Sequence, residues 1–123
     1  MGYGFAMDLV SIYQCLCDRT RLRILNALSG GPLCVRHLQE ILDEPQVKIS
    51  KHLGYLKRNR MVESVRQANC VFYRLPAKRP HELSANLGCL QDCVREEASF
   101  KRDEKRAVSL RAKLGSTEPF LSC

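Results

Sequence analysis

Apolar residues recur at helical spacing along most of this chain and alternate over one short stretch. Between Cys34 and Asn59 they define two short helices joined by a tight turn. Val35, Leu38, Ile41 and Leu42 make the apolar face of the first. Asp43-Glu44-Pro45 ends it, because proline disfavours helix at the residue before it and then opens the next helix well. Ile49, Leu53 and Leu56 make the stripe of the second. At about 100° per residue its other face carries Val47, Lys51, Gly54, Tyr55 and Arg58. A helix that packs on one side, is cationic on the other and docks on a shorter helix is the helix-turn-helix solution for entering a DNA major groove.

Upstream, Leu9, Val10, Ile12, Tyr13 and Leu16 predict a helix over Phe5 to Cys17. It is apolar on more than one side, as suits packing on its own subunit and on a partner. Asp18 is a good N-cap for a second helix through Leu22, Ile24, Leu25, Ala27 and Leu28, with Arg19, Arg21 and Arg23 between them. Ser29-Gly30-Gly31-Pro32 ends it. Downstream, Met61–Arg66 and Cys70–Leu75 alternate and are rich in Val, Phe and Tyr, with Gln67-Ala68-Asn69 between. This predicts a β-hairpin turning at Asn69, with Arg66 and Arg74 making it a basic wing. A helical stripe resumes after Pro76–Pro80 at Leu83, Leu87, Leu90, Val94 and Ala98, the pattern of a helix-pairing seam. The charged segment FKRDEKRAVSLRAKL is expected to continue that helix in solvent, and the last residues read as a frayed tail.

Charge sharpens the picture. The net charge of the 123 residues is +7. Pro45 to Arg79 holds nine Lys or Arg against the single acid Glu63, so the rest is nearly neutral. Gln46 to Arg60 holds five basic residues and no acid. One basic face on a nearly neutral body points to a polyanion, most simply double-stranded DNA. With 45% hydrophobic residues and this length, one domain is expected, 1–113, followed by a tail at 114–123. No apolar run is long enough to span a membrane, and the N-terminus lacks the form of a secretion signal, so a cytoplasmic location is expected.

The quoted segments CLCDRTRLRILNAL (15–28), LCVRHLQEIL (33–42), PQVKISKHLGYLKRNRMV (45–62) and VFYRL (71–75), in that order of elements, resemble the ArsR/SmtB family of metalloregulatory winged-helix repressors. The resemblance implies a mainly α winged helix-turn-helix with a β-hairpin wing, dimerised through its first and last helices. It implies a homodimer that sits on an operator and leaves when an inducer binds. Family recognition residues map onto Gln46, Lys48, Ser50 and Lys51, with His52 nearby. Gln and Lys side chains can read base edges, while Ser50, Lys57, Arg58 and Arg66 grip phosphates. Tyr55 lies on the same face. His52 is either a DNA contact or a satisfied helix histidine. The likeness has departures. The arsenite-sensing thiols at the start of the third helix reduce here to Cys34, with Arg36 and Gln39 near the other positions. The zinc-sensing Asp and His pairs reduce to His81, Asp92 and Asp103 at the wrong spacings, so zinc is not expected.

Seven cysteines are many for this length. An odd number in a cytosolic context argues against a disulfide framework and for reduced thiols. Cys89 and Cys93 are i and i+4 on the predicted last helix, about 5–6 Å apart on one face. Two thiolates so placed can clamp a soft centre such as trivalent arsenic, or they are small residues filling a helix interface. Cys15 and Cys17, i and i+2, lie about 200° apart around a helix and form no site alone. One of them can supply a third thiol if the first helix packs against the last. Cys34 reads as structural, and Cys70 and Cys123 as incidental. No catalytic triad order, phosphate loop or CxxC pair is present, so an enzyme is not expected. The reading is a repressor released by arsenite or methylarsenite bound to Cys89, Cys93 and Cys15 or Cys17. The alternatives are a dithiol redox or reactive-sulfur sensor on the same fold, and a DNA-binding protein without an effector.

Overall fold

The computed structural model describes residues 9–78, 83–85, 87–88 and 97–114. Its elements are α1 (Leu9–Cys15), α2 (Arg19–Leu28), β1 (Leu33–Cys34), α3 (Val35–Leu42), α4 (Gln46–Arg58), β2 (Glu63–Gln67), β3 (Cys70–Arg74) and α5 (Ala98–Leu114). Residues 83–85 and 87–88 are also helical.

Local chemistry sets the boundaries. The Asp18 side chain accepts the backbone N–H of Arg21 at 3.1 Å, capping α2 as its sequence predicts. Asp43 adopts the left-handed conformation at φ 56° and ends α3. Gln67 pairs with Cys70, leaving Ala68 and Asn69 as the turn. The left-handed residue there is Ala68, at φ 56°, rather than Asn69. A further strand, β1, pairs antiparallel with β3 through Leu33–Tyr73 and Cys34–Phe72, giving the sheet order β1-β3-β2. Two residues are too few to show a period, so the sequence gives no sign of β1.

The core gathers one face of each helix. Ile24, Leu25 and Leu28 of α2, Leu38, Ile41 and Leu42 of α3, and Ile49, Leu53 and Leu56 of α4 are all buried, with Met61 and Val62 leading into the wing. Val35 is half-buried. Leu83 and Leu87 join this same core. They serve the chain's own interior, which corrects their reading as the start of a pairing seam between subunits. Leu90 and Val94 lie outside the described residues.

Two further expectations change. Leu22 is half-exposed, and its neighbour Arg23 is buried in its place. The charged segment after Ser99 does not run out into solvent. It forms α5, whose Phe100, Asp103, Ala107 and Leu110 are buried at steps of three, four and three. The Asp103 carboxylate accepts two hydrogen bonds from the Arg23 guanidinium, at 2.7 and 2.8 Å. Arg23 also donates to the Leu42 carbonyl at 2.8 Å and approaches Glu44 at 3.5 Å. The carboxylate hydrogen bond raises the pKa of Arg23, against the cost of burying it.

Two more arginines of α5 cap helix ends. Arg106 donates to the Ile41 carbonyl at 3.1 Å. Arg111 donates to Ala27 and Gly31 carbonyls at 3.2 and 2.9 Å. Ile41 lies in the last turn of α3, where a helix terminus leaves carbonyls unsatisfied, while Ala27 also accepts the Gly30 N–H and Gly31 lies just past the end of α2. Gly30 makes room for the Arg111 contacts: a Cβ there would lie 2.5 Å from the Arg111 Nη1. α5 therefore holds the C-terminal ends of α2 and α3, and through them the angle between the helices that present α4.

Candidate nucleic-acid interface

α4 buries Ile49, Leu53 and Leu56 completely and turns its other face to solvent. Gln46, Val47, Lys48, Lys51, Lys57 and Arg58 are exposed, and Ser50, His52 and Tyr55 are half-buried. One helix thus carries all the predicted recognition residues except Arg66, spread around its uncovered surface, with Lys51, Tyr55 and Arg58 on one face.

Several are already held. The Gln46 amide donates to the Ser50 hydroxyl at 3.0 Å, so these two act as a unit. Lys48 pairs with Glu44 at 3.1 Å across one helical turn. Lys51, Lys57 and Arg58 make no ion pair among the described residues. In the wing, Arg74 is matched to Glu63 at 3.1 Å, directly across the ladder. That partly neutralises one of the two wing cations. Arg66 is exposed near the turn, without an ion pair among the described residues.

Tyr55 has a role that its sequence position does not reveal. The Arg21 guanidinium lies over its ring at 4.2 Å, and that of Arg58 at 5.9 Å. Arg21 also donates to the Cys15 and Gln14 carbonyls, each at 3.0 Å. The end of α1 is thereby tied through α2 to the exposed side of α4.

His52 Nε2 stands 3.9 Å from the Asp18 carboxylate. Burial, with Arg21, Lys48 and Lys51, pushes its pKa below 6.5 against the pull of Asp18. For Asp18, burial pushes the pKa up. The Arg21 backbone hydrogen bond and the nearby positive charges outweigh it, so the net shift is downward. The folded state therefore favours neutral His52 and ionised Asp18. As pH falls, stability is lost through His52 below its unfolded value of 6.5, and through Asp18 as pH falls through its lowered pKa.

Gly54 sits mid-helix, where an added Cβ would meet nothing closer than Arg58 Nη1 at 3.7 Å. Gly54→Ala should therefore raise stability by about 0.5–1 kcal/mol, read as a higher denaturant midpoint. A lower midpoint would show that the site has less room than this geometry gives it.

The cysteines divide. Cys15 is buried, and burial raises its thiol pKa, only partly offset by Arg21. Cys17 is exposed. The two thus face different environments, as their spacing predicts. Cys34 is buried at the N-cap of α3, where its backbone N–H meets His37 Nδ1 at 3.4 Å, consistent with a structural role. Cys70 is disulfide-bonded, a correction to the expectation of reduced thiols throughout. Cys89, Cys93 and Cys123 lie outside the described residues, as do His81 and Asp92. Asp103, the remaining zinc candidate of the sequence, is committed to Arg23. Among the described residues no three His, Cys, Asp or Glu side chains cluster closely enough to hold a metal ion, and no helix is long and apolar enough to cross a membrane.

Comparison with known proteins agrees with this geometry. Residues 18–64, from the cap of α2 into β2, match the model of the bacterial regulatory protein, arsR family. The arsenical resistance operon repressor of Staphylococcus aureus is 32% identical over 91 residues, covering 71% of this chain and 88% of that protein. The arsenic resistance transcriptional regulator ArsR2 of Pseudomonas putida is 41% identical over 76 residues, covering 58% of this chain and 66% of its own length. The chain spans 58% of the regulator KmtR of Mycobacterium tuberculosis. Among solved structures, the antimony-specific transcriptional repressor AntR superposes with a TM-score of 0.60 at 31% identity, covering 73% of this chain and 78% of that one. These are transcriptional regulators, not enzymes. A winged helix-turn-helix with this recognition helix and these relatives belongs to the ArsR family of bacterial regulatory proteins.

Proposed function

We propose that this chain is a homodimeric repressor that binds a two-fold symmetric DNA operator and is released by trivalent arsenic. The observation that carries the DNA-binding part is the exposed, acid-free surface of α4 with Lys51, Lys57 and Arg58, together with the exposed Arg66 of the wing. The exposed apolar residues of α1, Leu9, Val10 and Tyr13, support pairing with a second copy. Arsenic as inducer is supported by the names of the relatives and by the soft chemistry of thiolates.

Cys89 and Cys93 form the core of the inducer site in this reading. A methylated arsenic(III) needs only those two thiolates, since its methyl carbon fills the third position. Inorganic arsenite takes a third sulfur from Cys17 or Cys15. Cys17 is already exposed, whereas Cys15 would have to leave the core and lose its proton at a raised pKa. Release follows from coupling: a ligand that prefers the DNA-incompetent geometry, at a typical ~1–3 kcal/mol, lowers operator affinity about 5–150-fold.

Gel-shift titration of the operator complex with arsenite, methylarsenite, Zn(II), Cd(II) and peroxide tests this. Release by an arsenical at stoichiometric concentration is the expected result. Release by peroxide alone would transfer the reading to a dithiol sensor, and no release by any of them to a repressor without an effector.

A further inference from the structure

Among the described residues, Val47 is the most exposed of the large hydrophobic side chains, at 75%. Single exposed apolar residues are ordinary on protein surfaces. On α5, for instance, Val108 is 70% exposed with Glu104 and Lys105 one turn before it. Val47 differs in its setting. It stands in the first turn of α4, the end of a recognition helix that meets base edges. Its neighbours there are Gln46 and Ser50, bonded to each other at 3.0 Å, and Lys48, drawn to Glu44 at 3.1 Å. Lys51, one turn on and on the same side, has no ion pair among the described residues. The first two turns therefore offer a groove one apolar knob and one cation side by side. A β-branched residue at an exposed helix position also costs helix propensity relative to alanine.

The major groove displays one apolar feature, the 5-methyl group of thymine. We propose that Val47 reads a thymine in each operator half-site by packing on that methyl, with Lys51 beside it on an acceptor or phosphate. This rests on the DNA-binding reading above and adds to it an apolar contact that reads one base.

The test removes only the methyl group. Duplexes are selected from a random-sequence library with the full chain, and each thymine of the selected site is replaced in turn by uracil. For the unsubstituted protein, one thymine per half-site should show a loss of about threefold to tenfold on replacement, the scale of one buried methyl. Val47→Ala should bind the thymine operator more weakly by a similar factor and no longer distinguish uracil at that position. Being exposed, the substitution leaves the core intact, and circular dichroism verifies the fold. Selection of a specific duplex with no uracil-sensitive thymine, or a sensitivity that survives in Val47→Ala, overturns the proposal and leaves DNA binding standing. Failure to select any duplex overturns the DNA-binding reading itself.

Discussion

Asp103→Ala is expected to cost this fold about 3–5 kcal/mol, the range for breaking a buried ion pair by removing one partner. Asp103 is 1% exposed and Arg23 6%. Without the carboxylate, the Arg23 guanidinium keeps the Leu42 carbonyl and a 3.5 Å approach to Glu44 as its partners. A charge left so poorly compensated is the expensive outcome, more than the loss of the pair's own attraction. Native domains hold only about 5–15 kcal/mol in total, so the midpoint in urea should fall by a large fraction. The double variant Arg23→Met, Asp103→Leu should recover most of that loss, because it buries no unpaired charge. A cost near zero for Asp103→Ala would mean that α5 is not anchored through this pair.

That pair also shows where the sequence is legible. The helix-turn-helix, the hairpin and the Asp18 cap are all local: each is announced by a period or a boundary residue within a few positions. α5 is not. Its stripe Phe100, Asp103, Ala107, Leu110 has helical steps, but a carboxylate stands where an apolar residue would mark a buried face. Its partner Arg23 sits among the arginines of α2 and looks equally solvated in sequence. Each becomes a core residue only because the other is 80 positions away in the chain and against it in space. The arginine caps of Ile41, Ala27 and Gly31 are non-local in the same way. At the interface, sequence spacing placed Lys51, Tyr55 and Arg58 on one face. It did not show that Arg21 covers the Tyr55 ring, because that contact joins two helices.

The second large effect concerns induction. Cys89→Ser and Cys93→Ser should each bind operator with the affinity of the parent and no longer be released by methylarsenite, removing the whole of an about 5–150-fold effect. Serine keeps the size of the side chain while replacing a soft thiolate with a hard hydroxyl that does not hold arsenic. Cys34→Ser should be released normally, since Cys34 is buried at a helix start and serves as its N-cap. Cys17→Ser separates the two arsenicals. It should leave release by methylarsenite intact and weaken release by inorganic arsenite, if Cys17 is the third thiol. Loss of induction in Cys34→Ser, with Cys89→Ser responding like the parent, would move the inducer site to the start of α3.

In the proposed function the exposed face of α4 grips DNA. The most direct measurement of that grip is the salt dependence of duplex binding by anisotropy, for the parent chain and for Lys51→Ala. Lys51 is exposed and without an ion pair among the described residues, so the substitution changes the interface and not the core. For the parent, log affinity should fall linearly with log salt, with a slope set by the number of phosphates neutralised. Lys51→Ala should bind more weakly and reduce that slope by about one. Affinity and slope both equal to the parent's would take Lys51 off the DNA and contradict the account.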